Sequence, residues 1–381
     1  MSIYLDNAAT SYPKPEVVYR AIEDYMRKVG ASPGRGTYGK AREADRIVFE
    51  TRALLARLFN VDDVTRIIFT GNITESINLA LKGILNQNDH VITTSMEHNA
   101  VWRPLKVLER RLSLKISILD CPGGEAYDPR ILKGLMQPET RLVVLNHASN
   151  VNGTLMPIKE AGEICASYNV PLLVDAAQTA GVYPLDIQEQ KISLLAFTGH
   201  KGLMGPTGTG GLYIAPDIVM QPLKEGGTGG DSLLERQPDH LPDRFEAGTL
   251  NTAGISGLGA GVEFILSKGL DNIRNHELEL TAYTLERLKN IPDIILYGSD
   301  STIERTGVIS FNFNNIDPEE VTYVLDEVYG IMARSGLHCA PQAHRSLGTI
   351  GNGTVRISFG FFNTKEEVDK LIDALKDIAA A

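Results

Sequence analysis

The stretch "FTGHKGLMGPTGTGGLY", residues 197–213, joins two apolar runs through a glycine-rich turn that carries His200 and Lys201. The flanking runs "SLLAFT" (193–198) and "GGLYIA" (210–215) read as buried strands. Glycines let backbone approach a ligand closely. Thr198, His200 and Lys201 stand directly after the first strand, where an α/β sheet gathers its ligands. A lysine in that place binds phosphate as a point charge or serves as an amine nucleophile. The residues of this turn leave both open.

Similar runs recur upstream: "RIIFT" (66–70), "HVITT" (90–94), "KISIL" (115–119), "RLVVLN" (141–146) and "VPLLVDA" (170–176). Helical segments such as "TESINLALKGIL" and "PIKEAGEICASYN" lie between most of them. Short β-branched runs separated by helices predict parallel strands covered on both faces. The expectation is a three-layer α/β large domain with a mostly parallel sheet. Before it, "PKPEVVYRAIEDYMRKV" sets Val18, Ile22, Tyr25 and Val29 on one helical face, and "AREADRIVFETRALLARLF" repeats the amphipathic pattern. From "NTAGISGLGAGVEFIL" the texture changes to a long helical region (about 255–290), "GVISFNF", a helix near 318–329, "TVRISFG" and a last helix. Thr364 and Glu367 form a capping-box pattern at the start of that last helix. This is a smaller α+β C-terminal domain. The expected division is 15–253 for the large domain, with 1–14 and 254–381 in the small one.

The 381 residues, 43% hydrophobic and 22% charged, suit a globular enzyme of two domains. A formal charge of −10 opposes nonspecific binding to nucleic acid or to an anionic membrane, so neither is expected as a partner. The chain starts without a basic leader and contains no run of 18 apolar residues, which points to the cytoplasm. Its three cysteines, at 121, 165 and 339, are too few and scattered for a disulfide scaffold. No CxxC is present, so no metal site is expected. Cys165 in "EICASYN" reads as a buried helix filler and Cys121 in "LDCPGG" as part of a surface turn. Cys339 in "ARSGLHCAP" stands evenly between a structural residue and a nucleophile.

Two further patterns carry chemistry. Asp175 closes "PLLVD", and a carboxylate at the end of a buried strand is costly unless a cation or donor meets it. Alternatively it caps the next helix. In "TGNITESINLALKG" a strand runs into a helix starting near Thr74, whose free amides suit an anion. Neither GxGxxG nor GxxxxGK[ST] follows. A phosphate site, a reactive lysine and a strand-end aspartate together suggest pyridoxal phosphate (PLP), with the aspartate keeping the pyridine nitrogen protonated.

The ordered motifs "YLDNAAT", "TESINLALKG", "MEHNAVWRPL", "NHASNVNGTLMPI", "VDAAQTAG", "FTGHKGLMGPTGTG", "FEAGTLNTAGI", "RSGLHCAP" and "VRISFGFFNT" span the whole chain. In them the sequence resembles the cysteine desulfurase and selenocysteine lyase family of class V aminotransferase-fold PLP enzymes, fold type I. The resemblance implies roles for particular residues. Lys201 resembles the lysine that bonds to the cofactor and moves protons at the substrate alpha carbon. Asp175 resembles the partner of the pyridine nitrogen, Gln178 and Asn150 the residues near the ring's phenolic oxygen, and His98 the imidazole stacked on the ring. Thr74, Thr198 and His200, with backbone around Ile73, match phosphate ligands. Thr249 matches a residue reaching the phosphate of the neighbouring subunit in a homodimer. Arg356 matches the clamp on the substrate carboxylate, and Asn7 lies in a segment lining the substrate pocket. Cys339 matches the thiol that takes sulfur from L-cysteine, becomes a persulfide and passes it to an acceptor protein, leaving L-alanine. Iron–sulfur cluster assembly or another sulfur pathway is the implied destination. Selenocysteine lyase activity on L-selenocysteine, transamination and epimerisation are the alternatives on this fold. One departure stands out: relatives open the phosphate-site helix after small residues, whereas this chain has Asn72 and Ile73.

Overall fold

The computed structural model describes residues 2–34, 36–231, 233–299 and 301–380. The chain opens with β1 (Ile3–Tyr4), α1 (Glu16–Asp24) and α2 (Gly39–Phe59). The large sheet and its helices follow: β2 (Ile67–Thr70), α3 (Ile73–Ile84), β3 (His90–Thr94), α4 (Asn99–Leu112), β4 (Lys115–Leu119), α5 (Pro129–Leu135), β5 (Thr140–Asn146), α6 (Ile158–Ser167), β6 (Leu172–Asp175), β7 (Leu194–Thr198) and β8 (Gly210–Ile214). Then come α7 (Thr252–Lys268), α8 (Leu270–Leu288), β9 (Ile294–Tyr297), β10 (Val308–Phe313), α9 (Pro318–Tyr329), β11 (Ile331–Met332), α10 (Pro341–Leu347), β12 (Val355–Ser358) and α11 (Lys365–Ala380).

The large sheet has seven strands in the order β2-β8-β7-β6-β5-β3-β4. Only β8 runs antiparallel to its neighbours. Both faces are covered, as the unbroken apolar runs require. On β5, Val143 and Leu145 join one core cluster while Leu142 and Val144 join the other, and β6 and β7 alternate in the same way. Side chains of this kind contribute about 1.5–3 kcal/mol each when fully buried. This sheet is the rigid frame that holds strand ends in fixed relation.

In the second region β12-β10-β9 form an antiparallel sheet, and β1 pairs in parallel with β11. Its separate core draws Ile3 and Leu5 from the N-terminus together with Leu280, Phe311, Ile357 and Leu371. The helical region expected over 255–290 is two helices, because Gly269 takes a left-handed φ of 83° between them. The last helix opens on the expected box: Thr364 N–H donates to Glu367 Oε2 at 3.1 Å and Glu367 N–H to Thr364 Oγ1 at 3.4 Å.

The cysteines divide differently from the expectation. Cys165 is buried in α6, as its helical context suggests, and Cys339 is exposed. Cys121 is not a surface residue: it is fully buried, and its N–H donates to Ser95 Oγ at 3.0 Å. Only the Pro122–Gly124 turn after it matches the Pro-Gly signal. The thiol itself falls inward into the large core.

Glu277 of α8 is a buried carboxyl with no cation beside it among the described residues, and burial raises its pKa from 4.5 to about 8. A carboxyl whose folded pKa is raised holds its proton longer in the native state, so stability falls as pH rises from about 4.5 to about 8. Glu277→Gln is expected to make thermal stability fall less steeply across that window, by about one proton's worth of slope. Melting curves at a series of pH values check this; parallel profiles for variant and parent would refute it.

Candidate active site

Strand ends of the large sheet and the edge of the small one meet around Lys201. After β7 the turn is held by Gly199 N–H to Thr209 O, Gly205 N–H to Gly199 O and Met204 N–H to Lys201 O, each at 2.8 Å. The N-terminal segment straps it from outside: Lys14 Nζ donates to His200 O at 2.7 Å, and Ser11 Oγ to Lys201 O at 2.9 Å. Burial lowers the Lys201 pKa to about 8; Arg356 and Arg334 push it the same way, and Asp175 and Asp6 oppose. An amine so placed is partly neutral near physiological pH and able to take a proton.

Asp175 ends β6, paired in register with Ala196 of β7 and Asn146 of β5. Its Oδ1 accepts from Ala177 N–H at 2.9 Å, and burial raises its pKa. A carboxyl in that state favours a proton or a protonated heterocycle beside it.

His98 caps α4, with Nδ1 accepting from Ala100 N–H at 3.0 Å. Burial, then Lys201 and Arg356, lower its pKa to about 4, so the ring is neutral and carries its proton on Nε2. The residue before it, Glu97, is fully buried. Its Oε1 accepts from Thr94 Oγ1 at 2.7 Å and from Asn146 N–H at 3.0 Å, and burial raises its pKa to about 8. Glu97 thereby ties the His98 turn to the ends of β3 and β5 as a neutral acid.

The departure at Asn72 and Ile73 preserves the helix start. Asn72 Oδ1 caps α3 by accepting from Glu75 N–H at 3.0 Å, and Glu75 Oε2 reaches back to Gly71 N–H at 2.7 Å. Ile73 turns into the core. The N–H groups of Ile73 and Thr74 precede any carbonyl that the helix can offer them. Strand β8 passes so close that a Cβ on Gly210 would sit 2.8 Å from Asn72 backbone. Thr198 is buried at the end of β7, and His200 Nδ1 is buried without a partner. This donor set fits a phosphate: an orphaned imidazole nitrogen, hydroxyls and free helix amides face one kind of ligand. With Asp175 for a ring nitrogen and Lys201 for an aldehyde, the residues fit PLP.

On the other side of Lys201, Arg356 of β12 is buried. Its Nη2 pairs with Asp6 Oδ1 at 2.6 Å and Nη1 donates to Asn150 O at 2.9 Å, while Nε has no partner. Asn150 Nδ2 donates to His338 O at 2.7 Å, and Gln178 Nε2 to Ala8 O at 3.1 Å. Asn7 donates to Ser358 O and to Asn363 Oδ1, both at 3.1 Å. Asn7, Gln178, Lys201, Ser358 and Glu277 line one cavity. Cys339 is exposed and follows His338; both take left-handed φ, 57° and 45°. Its carbonyl accepts from Asn99 N–H at 2.8 Å, which sets it beside the His98 turn.

Thr249 is not brought to Lys201. It lies in a separate cleft of about 510 Å³ with Gly34, Phe49 and the buried Arg52–Glu246 ion pair. Sequence reading passed over Asp6, Lys14 and Glu97. Glu97 carried the signal that singled out Asp175, a carboxylate just past a buried strand; Asp6 and Lys14 carried none.

Comparison with known proteins matches this arrangement. The aminotransferase class-V family model aligns with residues 3–371. A probable cysteine desulfurase of Methanothermobacter thermautotrophicus is 37% identical over 388 residues, covering 99% of this chain and 94% of that protein. A cysteine desulfurase of Escherichia coli is 34% identical, covering 98% and 93%. The apo structure of cysteine desulfurase from Thermococcus onnurineus superposes with a TM-score of 0.94 at 34% identity, over 100% of this chain and 95% of that one. Among the described residues no helix is long and apolar enough to cross a membrane. Matched over nearly its whole length in sequence and backbone, and carrying residues that fit PLP at its strand ends, the chain belongs to the aminotransferase class-V family of PLP enzymes.

Proposed function

We propose that this chain is a PLP-dependent cysteine desulfurase that converts L-cysteine to L-alanine and leaves the sulfur as a persulfide on Cys339. The observation that carries the reading is a single exposed thiol held by backbone against the His98 turn, in a chain whose buried Arg356 keeps Nε without a partner. Lys201 would hold the cofactor through its aldehyde, Asp175 would pair with its ring nitrogen, and His98 would pack beside it. The α3 amides, Thr74, Thr198 and His200 take the phosphate; Gln178 and Asn150 serve the phenolic edge. When bound, PLP supplies an electron sink for the substrate alpha carbon.

The chain's residues do the rest. Arg356 clamps the substrate carboxylate with its planar fork, beside Asn7. Lys201 takes the alpha proton. The Cys339 thiolate attacks the substrate sulfur; an S–S bond forms as the Cβ–S bond breaks, and the released electron pair stays on carbon. Protonation of that carbon, with Lys201 as donor, completes L-alanine. The sum is L-cysteine plus a thiol giving L-alanine plus a persulfide, with no outside oxidant. The division into residues 15–253 and 1–14 with 254–381 sets Cys339 and Arg356 on the small domain, facing Lys201 on the large one. Thr249, remote from Lys201 in its own chain, is proposed to reach a second copy's phosphate across a twofold axis. An acceptor protein takes the sulfur from the exposed thiol.

The test is direct. Purified protein loaded with PLP and given L-cysteine and a reductant should release alanine and sulfide in equal amounts. Alanine-free turnover, or none, sinks the reading. The same assay with L-selenocysteine ranks the two substrates.

A further inference from the structure

The mechanism needs Cys339 at one defined place, yet it lies on an exposed loop in an unfavourable backbone conformation. His338 and Cys339 are consecutive non-glycine residues with left-handed φ, 45° and 57°. Such positions cost energy and persist only where the surroundings over-determine them. Both carbonyls are in fact tied to the large domain. Cys339 O accepts from Asn99 N–H at 2.8 Å, and His338 O from Asn150 Nδ2 at 2.7 Å.

Asn150 is itself fixed. Arg356 Nη1 holds its backbone carbonyl at 2.9 Å, and Ser310 Oγ donates to the next carbonyl, Val151 O, at 2.6 Å. Thr354 Oγ1 donates to Ser310 Oγ at 3.1 Å, and His338 Nε2 reaches Thr354 O at 3.1 Å. The bonds close a ring: Asn150, His338, Thr354, Ser310, Val151 and back along the chain. Every side chain in it is buried. Burial first, then Arg356, drives the His338 pKa down to about 2, so this imidazole stays neutral and donates through Nε2. His338 neighbours the nucleophile but holds it rather than deprotonating it.

We propose that Asn150 is the positioning residue of the Cys339 loop, its amide clamping the His338 carbonyl so that the thiol stands at the site. The proposal rests on the desulfurase reading for the meaning of Cys339, but its test is read without turnover.

Asn150→Asp keeps the shape and removes the donor; Asn150→Ala removes both. Ser310→Ala opens the same ring from the small-domain side and guards against a folding defect peculiar to Asn150. Hydrogen–deuterium exchange is followed at the Asn99 and Ala340 amides, which bond to Cys339 O and Leu337 O. All three variants should exchange there about tenfold faster than the parent, with and without PLP, while core amides of β5 and β6 keep their rates. Gln178→Ala, outside the ring, should leave both amides unchanged. Parent-like exchange at Asn99 and Ala340 in Asn150→Ala would overturn the proposal and confine Asn150 to the cofactor. Because exchange needs no substrate, a protein that failed to make alanine would still give this answer.

Discussion

Lys201→Ala is expected to lose alanine and sulfide production by at least about 10²–10⁴-fold, the range set by removing a positioned general base alone. The loss of the covalent hold on PLP adds to this. The reason lies in the geometry of the turn. Thr198, His200 and Lys201 leave the end of β7 in a loop closed by three backbone hydrogen bonds and strapped by Lys14 and Ser11. The neighbouring cations are committed elsewhere: Lys14 Nζ donates to Ser11 Oγ and His200 O, and Arg356 is engaged by Asp6 and Asn150. The phosphate donors and Asp175 remain in the variant, so PLP should still bind, but by reversible contacts only. Dialysis should strip the cofactor from Lys201→Ala and not from the parent. The absorption spectrum with L-cysteine then reports binding while alanine stays absent. Lys201→Arg should fare no better, since a guanidinium keeps its proton at any working pH. Retained alanine production in either variant would remove Lys201 from the centre of the site.

How much of this was legible beforehand differs from element to element. The strands could be read because each is a short apolar run between helical segments, and even the partly exposed edge strand β4 over Lys115–Leu119 follows its run residue for residue. Their order could not, since β8 between β2 and β7 depends on pairing between segments far apart in the chain. Asp175 and Lys201 announced themselves by polarity at the end of an apolar run. Glu97 sat in the same kind of place and went unread, because its partners, Thr94 Oγ1 and the Asn146 amide, are revealed only by folding. Cys121 was misplaced for a related reason: Pro122 and Gly123 signal a turn, but a turn does not say which way the preceding side chain points. The clamp of Asn150 on His338 spans 188 positions, beyond any local pattern. Thr249 shows the limit from the other side, since the role proposed for it across a subunit boundary would leave no trace in one folded chain.

Cys339→Ala should abolish persulfide formation and cut alanine production at least about a hundredfold, because the step that breaks the Cβ–S bond loses its nucleophile. The side chains proposed to hold PLP are all retained in this variant, and the bond from Asn99 N–H to the residue 339 carbonyl does not depend on the thiol, so cofactor loading and its response to L-cysteine should match the parent. The other two cysteines provide the control. Cys121 and Cys165 are fully packed in the large core, and burial pushes both thiols up to about 12, so neither supplies a thiolate. A Cys121→Ala, Cys165→Ala double variant therefore keeps the working thiol, and brief exposure to L-cysteine should add one sulfur atom to the peptide carrying Cys339. In Cys339→Ala no peptide should gain sulfur. The backbone tie from Asn99 to residue 339 survives the change to alanine, so a lost activity cannot be assigned to a displaced His98 turn. Sulfide and alanine formed at the parent rate by Cys339→Ala would show that sulfur leaves without a protein nucleophile, and the exposed thiol beside His338 would then need another explanation.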